Sequence, residues 1–235
     1  MRDRVVGDLV KGQVCLFAGL LLCVTLMPDG LGANHGISYY GVHWETVLPY
    51  AASLLGAALF TRKALRATAS ATPSLGRLRR AADSFALLLG GIVLTPYTLN
   101  GAVDWTHRLL GACLFALQLV LAVRLIAWAH GDAFSTVLLA LQLVGGVVAA
   151  VYVMQDNGFL LQGEATYQLG FGALLIRTIP LLSVPAVLAR DTTPVVAEVP
   201  TADIPLRDPG IPAQGTSLGG PAVACCGEGD GGTAA

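Results

Sequence analysis

Charge is what this sequence has least of. Of its 235 residues, 12% are charged and 54% are hydrophobic, where soluble domains carry about a quarter charged residues. With a mean hydropathy of +0.67, that scarcity excludes an ordinary water-soluble domain. Cysteine is sparse and scattered: Cys15, Cys23 and Cys113 fall in apolar runs, and Cys225 and Cys226 in a polar C-terminal stretch. No CxxC spacing occurs, which excludes a zinc or redox site built on cysteines. HExxH and HxH patterns are absent as well, and no soluble basic domain is present to carry nucleic acid. No cofactor is expected.

The apolar residues are gathered into six runs, 10–27, 45–61, 82–98, 105–128, 133–154 and 166–189. A helix rising about 1.5 Å per residue needs roughly 20 residues to cross the hydrocarbon core. Each run therefore reads as a span, the second and third drawing on their interfacial flanks. The fourteen Lys and Arg fall almost entirely into alternate joints. Arg2, Arg4 and Lys11 sit at the start, Arg62, Lys63, Arg66, Arg77, Arg79 and Arg80 between the second and third runs, and Arg190 and Arg207 after the sixth. The intervening joints hold Arg108 alone. Cytoplasmic loops retain basic residues, so the expected fold is an all-α, six-helix transmembrane bundle with both termini inside. It is expected to be a multi-pass protein of the cell membrane.

Residues 1–9 form a cytoplasmic N-terminus, 10–189 the transmembrane domain, and 190–235 a tail rich in Pro, Gly, Ala and Thr that reads as disordered. The first run resembles a signal peptide in its basic start, but it is expected to stay as a helix. The joint 61–80 is expected to be a flexible cytoplasmic loop. Small residues on the helix faces, among them Gly56, Gly90, Gly91, Gly145 and Gly146, favour close helix packing and could support a homo-oligomer. Tyr39, Tyr40 and Trp44 are amphipathic aromatics suited to the headgroup level.

That topology collects the polar residues on the outer face. The first outer loop supplies His35, Ser38, His43 and Glu45, the second Asp104, His107 and Arg108, the third Asp156 and Glu164; His130 alone among the four histidines lies inside. Imidazole beside carboxylate suits acid–base work near neutral pH or metal ligation; His35 and His43 are the weak metal candidates. Asp104 and His107, three apart at a helix start, can share a face, with Asp104 placed to cap the helix. Arg177 falls mid-span, where an arginine costs at least ~2.5–3.5 kcal/mol and needs partners. No acid is available at that depth, and Gln118 and Gln142 are the expected partners.

Three segments together resemble the FRAG/DRAM/SFK group of six-helix membrane proteins over residues 10–189. They are Ile37-Ser38-Tyr39-Tyr40-Gly41 after the first helix, His107 ahead of Gly111-Ala112-Cys113-Leu114-Phe115, and Glu164 opening the last helix. The chain departs from the group's pattern at Tyr39, where an acidic residue is usual, leaving Glu45 as a substitute carboxylate, and in one residue fewer before Phe115. Eukaryotic members are associated with lipid remodelling, lipid distribution between leaflets and autophagy. The resemblance implies Ser38, His107 and Glu164 as outer-face site residues, for headgroup recognition or structural bracing.

The expected function is binding of lipid headgroups, or organisation of membrane components, by an extracytoplasmic polar pocket. Its residues would be Ser38, His43, Glu45, Arg108, Arg177, Gln118 and Gln142, with membrane lipids as partners. A lipid hydrolase using His107, Asp104 and Glu164 is one alternative. An anion transporter centred on Arg177 is another.

Overall fold

A computed structural model of the chain describes residues 2–31, 35–71, 76–129, 132–155 and 159–182. His130, Asp156, Arg190, Arg207, Cys225, Cys226 and the whole of the expected tail lie outside the described residues. Within them the protein is all-helical. Six α-helices run α1 Arg2–Leu26, α2 Val47–Ala71, α3 Gly76–Leu94, α4 Gly101–Trp128, α5 Ala133–Gln155 and α6 Leu160–Leu182. Two 3-10 turns, Pro28–Leu31 and Ile37–Gly41, lie between α1 and α2. Among the described residues α1, α4 and the Ala133–Val151 part of α5 are long and apolar enough to cross a membrane.

The helices exceed or shift from the apolar runs, and the reasons are local. The joint expected as a loop over 61–80 is helical up to Ala71 and again from Gly76. Its Ala, Leu, Arg and Lys residues are strong helix formers, so the helix outlasts the apolar stretch. Charge pairs then hold the two ends together: Arg62 Nε and Arg66 Nη2 reach the two oxygens of Asp83 on α3 at 2.8 and 2.7 Å. Lys63 Nζ reaches the buried Asp8 of α1 at 3.0 Å. At the other end, α4 is capped by Asn100, whose side chain accepts from the Val103 N–H at 3.0 Å. Asp104, expected as that cap, lies in the first turn instead.

Consecutive helices pack on one another, and α6 closes the circuit by lying against α1, α2, α4 and α5. Glycine makes the α5–α6 contact close. A Cβ placed on Gly163 would lie 2.6 Å from the Ala149 amide nitrogen, and one on Gly170 would lie 2.7 Å from that of Gln142. On this face small residues serve packing within the chain. The outer surface is unlike that of a soluble bundle: every helix exposes large apolar side chains, such as Leu21, Leu59, Leu87, Leu109, Val147 and Leu169.

Candidate functional site

The site is built on the Ile37–Gly41 turn and on what holds it. Tyr40, expected at the headgroup level, is fully buried. Its hydroxyl lies where any side chain at Gly30 would collide with it, 2.5 Å from a Cβ there. The Tyr40 carbonyl accepts from Thr46 Oγ1 at 2.8 Å, and the Thr46 carbonyl accepts from the Cys23 thiol at 3.7 Å. The turn is thereby fixed to the end of α1 and the start of α2. Gly41 leaves room for the ring of Tyr50, which turns one face of α2 toward the same region.

From this frame the turn reaches two distant helices. The Ile37 N–H donates to Glu164 Oε2 on α6 at 2.6 Å. Gly36 permits that approach, since its Cβ would lie 2.6 Å from the same oxygen. Ser38 Oγ lies 2.8 Å from His107 Nε2 on α4, and His107 Nδ1 lies 2.7 Å from the Thr95 carbonyl oxygen. A carbonyl only accepts, so Nδ1 carries a proton. In the neutral ring Nε2 is then the acceptor, and the Ser38 O–H donates to it. Thr95 Oγ1, 3.3 Å from Nδ1, spends its own proton on the Gly91 carbonyl at 2.8 Å, which supports the same tautomer.

Ser38, His107 and Glu164 line one cavity of about 80 Å³ with Tyr50, Gln13 and Gln168. A single water needs roughly 10–15 Å³ of such space, so the cavity holds a file of several waters or a narrow chain of similar width. Beyond these polar groups its walls are mostly apolar, including Leu16, Leu54, Phe85, Leu89, Leu114 and Phe171. Along α2 the lining residues Tyr50, Leu54, Ala57 and Thr61 follow one helix face, so the cavity runs inward for about 16 Å. Helices α1, α2, α3, α4 and α6 enclose it. At depth, Gln13 Oε1 is buried with no hydrogen-bond partner among the described residues, and Gly172 leaves the space its amide occupies. Gln168 exchanges hydrogen bonds with Gln118 at 2.8 and 3.3 Å.

Glu164 lies two residues ahead of the sixth apolar run, in the second turn of α6, and is held there by the Ile37 N–H.

Other candidates lie elsewhere. Asp104 pairs with Arg108 one turn on, at 2.8 Å, and neither lines the cavity. His107 turns to Ser38 and Thr95 instead of to Asp104. His35 and His43 both lie against the Tyr39 ring, at centroid distances of 4.0 and 4.4 Å, and Glu45 is exposed at the start of α2. Among the described residues no group of three His, Cys, Asp or Glu is placed to hold a metal. Gln142 is fully buried, with neither amide atom hydrogen-bonded among the described residues.

Arg177 requires the largest correction. The described part of α6 spans 160–182 and includes Arg177, and residues 183–189 of the expected run 166–189 lie outside the described residues. Arg177 has an acid partner after all, Asp132 just before α5, and its guanidinium lies 5.3 Å from the centre of the Phe134 ring. Arg177 holds the Asp132 carboxyl well below the usual carboxylate range, with help from Ser135. Gln118 is bonded to Gln168, so the expected cluster of Arg177, Gln118 and Gln142 does not form.

Tyr50, Gln13, Gln168 and Thr95 join the site without having stood out in the sequence. Gln168 had a signal: it lies one helical turn after Glu164, on the same face. No protein-family model, curated protein or solved structure matches the chain.

Proposed function

We propose that this is a six-span membrane protein of the FRAG/DRAM/SFK type, with both termini on the cytoplasmic side. Its cavity opens toward the outer leaflet and binds a lipid at the headgroup and glycerol level. The observation that carries this reading is the pair of links from one loop turn, Ser38 to His107 and Ile37 to Glu164, at the polar mouth of an apolar cavity. A lipid has that same polarity, with acceptors and donors at one end and hydrocarbon at the other. Six spans are supported by the apolar side chains that all six helices turn outward, which water would penalise and lipid would not. The orientation is supported by the basic residues gathered at the end of α2 remote from the turn.

Native mass spectrometry of gently purified protein tests the reading. Wild type is expected to retain a defined phospholipid, and His107→Ala to lose it by about tenfold or more, because the turn that carries Ser38 loses its hold on α4. Arg177→Gln, remote from the cavity, is expected to retain it as wild type does. The same bulk lipids on wild type and His107→Ala would remove the headgroup role. Loss in Arg177→Gln alone would move the site to the inner end.

A further inference from the structure

Resting on the lipid-binding reading of the same cavity, we infer that Ser38 is a nucleophile activated by His107, and that the cavity cleaves the carboxylic ester of an acylated lipid. A serine becomes nucleophilic when a base accepts its proton and a third group orients that base. All three parts are in place: Ser38 Oγ lies 2.8 Å from His107 Nε2, and the Thr95 carbonyl holds Nδ1 at 2.7 Å. The tautomer is the productive one, since Nε2 is left free to take the proton. A serine with a purely structural hydrogen bond would not need to face a cavity, whereas Ser38 and His107 both line this one. Tyr50 lines the same cavity.

The substrate class follows from the shape. The dyad stands at the polar mouth and apolar wall continues inward from it, so an acyl chain directed inward brings its ester carbonyl to Ser38. His107 Nε2 takes the Ser38 proton as Oγ bonds to the carbonyl carbon. The tetrahedral adduct collapses, the ester C–O bond breaks, and His107 returns the proton to the leaving lipid alcohol. Water from the outer side then gives its proton to His107 as its oxygen attacks the acyl-serine. Collapse releases the carboxylic acid, and His107 returns the proton to Ser38 Oγ. Glu164 is a positioning residue here, since it holds the Gly36–Ile37 peptide, one residue ahead of Ser38, through the Ile37 N–H.

The experiment treats full-length protein in lipid nanodiscs with an alkyl fluorophosphonate and maps the adduct by peptide mass spectrometry. Wild type is expected to carry the adduct on Ser38, and Ser38→Ala to carry none. His107→Gln keeps a hydrogen-bonding side chain but removes the base, and it should slow labelling by 10²-fold or more. Folding of each variant is checked by its melting temperature. Folded wild type without a Ser38 adduct overturns the inference, and so does labelling of folded His107→Gln at the wild-type rate. Lipid retention, measured on the same samples, separates the two readings. Lipid held by wild type but no adduct ends the nucleophile and spares the binding site; neither signal ends both.

Discussion

Gly170→Val is expected to prevent α5 and α6 from packing, with a destabilisation on the order of 3 kcal/mol or more. The side chain would start 2.7 Å from the Gln142 amide nitrogen and 2.9 Å from its Cα. Both are backbone atoms of the facing helix, so no rotamer change relieves the clash and the helices must separate. Their separation would also disturb Gln142, Tyr167 and the Phe115 carbonyl, which accepts from the Tyr167 hydroxyl at 2.6 Å. Gly90→Val is the matched control. It carries the same intrinsic helix cost, but nothing lies within 4 Å of a Cβ there. Size-exclusion and thermal-unfolding profiles in detergent should show Gly90→Val near wild type and Gly170→Val aggregated or melting far lower. Similar profiles for both would mean that the α5–α6 contact is not as close as described.

The second large effect is local to the site. Gly36→Ala is expected to leave the fold standing and to reduce lipid retention by about tenfold. Gly36 has φ −82° and ψ −175°, a conformation open to any residue, so alanine meets no backbone strain. Its Cβ would instead lie 2.6 Å from Glu164 Oε2, the atom that accepts from Ile37. The carboxyl sits at the end of a flexible side chain and can move aside. It would then give up the Ile37 hydrogen bond, on the order of 1 kcal/mol, and release the turn that carries Ser38. A melting temperature within a few degrees of wild type, together with lost lipid, is the expected pair of results. Unchanged retention would show that the Glu164 link does not organise the mouth.

What the sequence makes legible and what it hides divide along physical lines. The six helices are visible because apolar residues cluster at bilayer length. Their ends are not, because helix propensity and ion pairing act beyond the apolar stretch. Arg62, Lys63 and Arg66 read as loop charges, yet they lie on α2 and find Asp83 and Asp8. Arg177 read as having no acid partner because Asp132 stands in the joint before another helix, outside every apolar run. Ser38, His107 and Glu164 stand out as polar residues beside apolar runs. That they meet depends on the Ile37–Gly41 turn reaching both α4 and α6, through contacts 69 and 127 positions apart that no local period encodes. Gln13 and Gln168 show the same limit. Each is an amide inside an apolar helix, and only the bundle decides that both face the cavity.

The central claim is that the cavity bounded by Ser38, His107 and Glu164 receives a lipid. A phospholipid carrying a photoreactive group near the carbonyl end of one acyl chain tests it most directly. After irradiation in nanodiscs, peptide mapping should place the crosslinks on cavity residues such as Leu54, Leu89, Leu114 or Phe171, and His107→Ala should abolish them. Crosslinks confined to outward-facing residues such as Leu87, Leu109 and Val147, unchanged in His107→Ala, would contradict the account.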